Sequence, residues 1–193
     1  MPAMRTPSLI QMSGAPGAGK SSIAAELSRR HGMVSIDYDV VKSALLAEGS
    51  QFGDSGRIGY RIVTSLAERL LGQGHSVVID SPCFYQELLD TGEAIARRQN
   101  ARYLYVECFL DDLDEIDRRL NGRAPLRSQR SAVEGAPADD SRGSALSGRE
   151  LFQAWIHGMR RPEADFLVVD TSRDLATCMR DVETFLRQRK AIE

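Results

Sequence analysis

The sequence predicts an α/β fold, a parallel sheet with helices on both faces. Two observations carry that prediction. Short apolar runs alternate with longer amphipathic stretches along the chain, the pattern of strands joined by crossover helices. The best-defined run, Val77-Val78-Ile79, is continuous rather than alternating, as a strand covered on both faces requires.

Taken in order, residues 8–13 read as the first strand, stopped by a glycine-rich loop. Residues 20–31 form a helix with Ile23, Ala24 and Leu27 on its apolar face, ended by Gly32, which takes a left-handed stop without strain. Residues 33–37 are the second strand, followed by a helix through Leu45 and Leu46. From 58 to 71 apolar residues recur at helical spacing (Ile58, Ile62, Leu66, Leu70), up to Gly72. Residues 76–80 are the third strand, and a helix over 85–99 leads to the fourth, 102–110. A helix over 111–120 opens with acidic residues, where the helix dipole favours them. Residues 151–160 are helical, 166–170 form the fifth strand, and 175–189 close the chain as a helix. The exception is 121–148, rich in Ser, Gly, Pro, Ala and Arg with little periodicity; so long an irregular stretch in a compact domain is functional or disordered. No repeat or boundary interrupts the pattern. The expectation is one domain, 1–193, with a lid or flexible segment at about 121–148.

The 193 residues suffice to bury a continuous core, and 42% apolar with 27% charged residues is an ordinary globular balance. A net charge of −2 supplies no basic field, which argues against nucleic acid as a partner. No run approaches the roughly 18 apolar residues of a membrane span, and residues 1–8 lack the apolar run of a secretory leader. Cys83, Cys108 and Cys178 are odd in number and widely spaced, which argues against a disulfide framework or zinc site and suits a reducing cytoplasm. Of 25 basic residues only three are lysines: Lys20, Lys42 and Lys190. Nothing in the sequence specifies an oligomeric state.

Between the first strand and the first helix lies Gly14-Ala15-Pro16-Gly17-Ala18-Gly19-Lys20-Ser21, a match to GxxxxGK[ST] in the strand–loop–helix context that motif needs. Its glycines let backbone N–H groups converge on phosphate oxygens, and the helix behind presents its positive end. The loop is expected to bind ATP, with Lys20 on the outer phosphates, the Ser21 hydroxyl on Mg2+ and Ser22 extending the phosphate site. A second magnesium contact is expected at the end of another apolar strand. Asp80 fits that position and the hard-oxygen preference of the ion, although a strand-ending Asp is also often a helix cap.

The loop, the aspartates after the second strand, Asp80 and the arginine-rich late segment together resemble the small P-loop kinases, an AAA-type ATP-binding family. The nearest group is the zeta-toxin and polynucleotide-kinase-like one, which includes chloramphenicol phosphotransferase; shikimate, gluconate and adenylate kinases are more distant. The resemblance implies a five-stranded parallel sheet ordered 2-3-1-4-5, a mobile lid and transfer of the γ-phosphoryl group of ATP. Ile36-Asp37-Tyr38-Asp39 looks like the family's aspartate motif, where a carboxylate accepts or orients the proton of the attacking hydroxyl. That implies Asp37 as base, with helix capping as its alternative; Asp39 either orients substrate or caps the next helix. The segment Asp117-Arg118-Arg119-Leu120-Asn121-Gly122-Arg123-Ala124-Pro125-Leu126-Arg127-Ser128-Gln129-Arg130 resembles the lid. The likeness implies Arg123 and Arg127 over the phosphates and Arg119 against the adenine or the phosphates; the plain alternative is a solvated polar surface. Thr171 and Ser172 stand where such kinases contact the base, or else cap the following helix.

For the acceptor, Asp39, Arg57, Tyr60 and Phe84 are the candidates, although core packing explains the aromatics almost as well. Cys83, at a crevice-facing position without a base, reads as structural. Trp155, on a helical stripe with Leu151 and Phe152, reads as core. A GTP switch would need Asn-Lys-x-Asp, and the only asparagines, Asn100 and Asn121, are followed by Ala and Gly. Leu146-Ser147-Gly148-Arg149-Glu150 superficially resembles a transporter ATPase signature, but Ser81 follows Asp80 where a hydrolytic glutamate would stand. The expectation is an ATP-dependent kinase acting on a small-molecule hydroxyl: an antibiotic or other metabolite, a nucleoside or a nucleotide-sugar. Its rival is a nucleotide-binding regulator without a productive acceptor site.

Overall fold

The computed structural model describes residues 6–140 and 145–193. Residues 1–5, part of the stretch read as lacking a leader, and residues 141–144 of the expected lid lie outside the described residues. The five strands β1 (Ser8–Ser13), β2 (Val34–Asp37), β3 (Val77–Asp80), β4 (Arg102–Phe109) and β5 (Phe166–Asp170) form one sheet, every pair parallel, in the order β2-β3-β1-β4-β5. This is the order the family resemblance implied. The helices are α1 (Lys20–His31), α2 (Tyr38–Ala47), α3 (Phe52–Gly72), α4 (Gln86–Arg98), α5 (Leu113–Asn121), α6 (Gly148–His157) and α7 (Leu175–Gln188).

Alternation along the central strand explains the two cores. Leu9 of β1 packs with Ile36, Val63, Ala67, Val77 and Ile95 on the face covered by α2, α3 and α4. Ile10 and Met12 pack with Ile23, Ile116, Phe152 and Val182 on the face covered by α1, α5, α6 and α7. Each such side chain, buried whole, stabilises the fold by roughly 1.5–3 kcal/mol before entropy is counted.

Two helices differ from their sequence expectation. The stripe that identifies α3 is not the one it buries. Ser55, Gly59, Val63, Ala67 and Leu71 face inward, while Ile62 and Leu66 are 36% and 46% exposed, and the helix starts at Phe52. The reason is closeness where α3 crosses α2: a Cβ at Gly59 would lie 3.2 Å from the Tyr38 ring, so a large side chain does not fit at that point. Helix α6 starts at Gly148 rather than 151, because Ser147 and Glu150 form a reciprocal capping box. That box accounts for the fragment resembling a transporter signature.

Among the described residues, 122–140 form only turns and bends, as the composition predicts. They are nevertheless tied down. Val133 is buried in the core and its N–H donates to Asp117 Oδ1 at 2.7 Å, while Glu134 accepts the backbone N–H groups of Gly148 and Arg149 at the start of α6. Among the described residues no helix is long and apolar enough to cross a membrane.

Candidate active site

The carboxyl ends of the strands meet at one edge of the sheet, where an open α/β fold leaves its crevice. The loop after β1 is shaped there by backbone freedom. Gly14 holds φ 129° and a Cβ on it would run into the Cys108 carbonyl; Gly19 holds φ 93° as the N-cap of α1. No side chain caps that helix, so its first N–H groups stay open to an anion. Lys20 folds back across the loop, its Nζ donating to the carbonyls of Gly14 at 2.9 Å and Ala15 at 3.0 Å.

Asp37 and Asp80 are partners in register at the tips of β2 and β3. Burial pushes the Asp80 carboxyl above its ordinary value, against the pull of the Lys20 ammonium and a hydrogen bond from Ser21. A buried carboxylate and a hydroxyl in contact beside a phosphate loop are the hard-oxygen donors Mg2+ takes, and the ion fits them. Among the described residues no cluster of three His, Cys, Asp or Glu could hold a metal ion.

Asp37 caps α2: its Oδ1 accepts the N–H groups of Asp39 at 2.7 Å and Val40 at 3.3 Å. Burial and then the Asp39 charge raise its pKa, more than those two amides and Lys20 lower it. Asp39, with the cap already supplied, faces the crevice instead. Its Oδ1 accepts the Ser128 hydroxyl and its Oδ2 the Gln129 amide, each at 2.9 Å, so α2 holds the 122–140 segment at this point.

The crevice encloses about 670 Å³. Of the predicted site residues, Pro16, Gly17, Gly19, Lys20, Ser21, Ser22, Asp39, Tyr60, Asp80, Phe84, Arg119, Arg123 and Thr171 line it. Gly14, Ala15 and Ala18 are the buried positions of the loop. Arg119 is fixed between Glu115, at 2.7 Å, and the Thr171 carbonyl, at 2.8 Å. Arg123 presents a buried Nε for which the described residues provide no acceptor.

Other expectations are not brought to the crevice wall. Arg127 is half exposed and paired with Asp139 at 2.9 Å, and Arg57 is exposed and paired with Asp54. Ser172 donates its N–H to Asp170 Oδ1, and the cap of α7 is Asp174, not Thr171 or Ser172. Cys83 is buried away from the wall, and burial pushes its thiol up to about 12.

Sequence reasoning missed Lys42, Gln129, Arg130 and the crevice role of Trp155. Lys42 is 9% exposed, with Nζ 3.4 Å from the centre of the Phe52 ring; its rarity as a lysine was the only signal. Trp155 packs on the core with one edge and faces the crevice with another, a division that a helical stripe does not reveal.

Among curated proteins no match was found. Solved structures do match. A gluconokinase from Sinorhizobium meliloti 1021 is 19% identical, with 96% of this chain and 95% of that one covered and a TM-score of 0.62. A sugar kinase from Janibacter sp. HTCC2649 is 14% identical, with 96% and 97% covered and a TM-score of 0.65. The APS kinase of Mycobacterium tuberculosis, solved with AMPPNP and APS, is 18% identical, with 95% and 99% covered and a TM-score of 0.61. At such identities the likeness establishes the three-layer P-loop fold. The sequence itself matches the AAA domain over residues 9–145, and the chain belongs to that family.

Proposed function

We propose that this protein is an ATP- and magnesium-dependent phosphotransferase that moves the γ-phosphoryl group to a hydroxyl of a small molecule. The observation that carries the reading is that a single crevice joins the phosphate loop, Lys20 and Asp80 to a pocket walled by Asp39, Tyr60 and Phe84. The fold shared with solved kinases supports it. The aspartate motif and arginine run support the narrower zeta-toxin and polynucleotide-kinase-like grouping. The chain acts as one kinase domain whose lid is about 121–148, in the reducing cytoplasm that its three buried free cysteines suit.

The loop amides hold the β- and γ-phosphates, and Lys20 exchanges its two carbonyls for phosphate oxygens. Ser21 and Asp80 would hold Mg2+, which would supply charge neutralisation on those phosphates. The acceptor oxygen bonds to the γ-phosphorus as the bond to the β–γ bridging oxygen breaks. ADP leaves with that electron pair and the hydroxyl proton passes to a carboxylate, Asp37 first, with Asp39 orienting the acceptor. Arg119 and Arg123 neutralise charge as it spreads.

The rival, a nucleotide-sensing regulator, is favoured by one observation: Asp37 is a helix cap. Asp37→Asn separates the two, because Asn caps a helix as well as Asp does but accepts no proton. In a kinase it lowers kcat by on the order of 100-fold with ATP affinity kept. In a regulator it changes neither binding nor the conformational response. The raised Asp37 pKa adds a sign. The base must be ionised, so kcat/KM falls as pH drops through a value above the ordinary carboxylate range, and this limb is absent in Asp37→Asn.

A further inference from the structure

The acceptor end of the crevice offers a ligand rings more than hydrogen bonds. Half of the chain's twelve aromatic residues line it: Tyr38, Phe52, Tyr60, Phe84, Tyr85 and Trp155. Tyr38 and Tyr60 stack on each other, centroids 4.0 Å apart, and fill in against the core. Phe84 and Trp155 stand 5.5 Å apart with their planes tilted by 33°, and Tyr85 is 59% exposed at the mouth.

Several of the polar groups around them are turned to other parts of the protein. The Tyr60 hydroxyl donates to the Pro82 carbonyl at 2.9 Å, and Ser128 and Gln129 donate to Asp39. The Arg130 guanidinium donates to the carbonyls of Val133 and Gly135 while lying 5.4 Å from the centre of the Trp155 indole. A polyhydroxylated acceptor laid against the Phe84, Tyr85 and Trp155 rings would give up hydrogen bonds to water there for apolar contact, which is costly. A flat ring loses nothing there and gains apolar contact and offset stacking.

We infer that the acceptor is an aromatic alcohol, its ring held by Phe84, Tyr85 and Trp155 and its hydroxyl on an alkyl arm reaching toward Lys20 and Asp80. The inference rests on the phosphotransferase reading for the hydroxyl, but not for the ring.

Trp155 is the sole tryptophan, so its emission reports on this wall alone. The full-length protein, without ATP, is titrated with 3-phenylpropan-1-ol and separately with D-gluconate. The expected result is a saturable emission change with the aromatic alcohol and none with D-gluconate over the same range. Tyr85→Ala, at an exposed position that folding does not need, weakens binding by roughly two- to tenfold. Phe84→Leu, which keeps apolar volume but removes the ring, does the same. Tighter binding of D-gluconate, no saturation by the alcohol, or unchanged affinity in both variants overturns the inference. ADP release is then read with ATP and Mg2+. Binding of the alcohol without ADP release above the Lys20→Ala background supports the ring site while removing the phosphotransferase reading. Release with D-gluconate alone keeps that reading and overturns the aromatic acceptor.

Discussion

The phosphate loop of the crevice comes from one continuous stretch, β1, its loop and the first turn of α1, and its shape is set by backbone. The acceptor end is gathered from α2, α3, the β3–α4 connection, the 122–140 segment and α6, and it works through side chains. Backbone N–H groups at positive-φ glycines demand particular residue types at fixed spacing, and such a demand is written into adjacent positions. A wall of rings drawn from four places in the chain demands only that each be large and apolar, which core packing demands as well. In the proposed kinase, recognition of phosphate is therefore local and recognition of the acceptor is a product of the fold.

Substitutions break the comparison at different depths. The largest effect is expected for Lys20→Ala, a loss of at least about 100-fold in transfer, read as ADP release. Its melting temperature should stay near that of the unsubstituted chain, because the bonds Nζ makes to Gly14 and Ala15 stay within the loop. Gly14→Ala attacks the same end through stability. Its positive φ and the Cys108 carbonyl behind it should cost about 1–3 kcal/mol for the backbone alone, measured by denaturant unfolding. At the acceptor end Asp39→Asn should raise the acceptor KM by roughly tenfold while leaving the KM for ATP unchanged, because Asp39 meets the 122–140 segment and not the phosphate loop. The smallest effect is expected for Arg127→Ala. Its exposed pair with Asp139 stands off the crevice, and steady-state rates should match the unsubstituted enzyme.

Much of the fold was legible because apolar runs and glycine stops repeat in strict alternation, and the ends of β1, α1 and β5 fall where the sequence puts them. Helix α3 misled because its buried face is built of Ser55, Gly59 and Ala67, small residues chosen for close approach, while Ile62 and Leu66 face out. In the site, the loop and Asp80 were legible from adjacency to a strand end. Asp37, read as base or helix cap, caps α2 and is not among the residues lining the crevice. The tie from Asp39 to Ser128 and Gln129 was not legible, since it joins positions about ninety residues apart. The arginine run did not separate Arg123, with its buried Nε, from Arg127, which faces solvent. Periodicity cannot distinguish them where no helix or strand fixes the direction of a side chain.

The most direct test of the claim that phosphoryl transfer joins the two ends is product mass. The protein is incubated with ATP, Mg2+ and a panel of hydroxyl-bearing molecules, with Lys20→Ala alongside. The account predicts an acceptor heavier by one phosphoryl group, formed in step with ADP and absent from the Lys20→Ala reaction. ATP binding with no phosphorylated product from any acceptor, and ADP no higher than in Lys20→Ala, would contradict it.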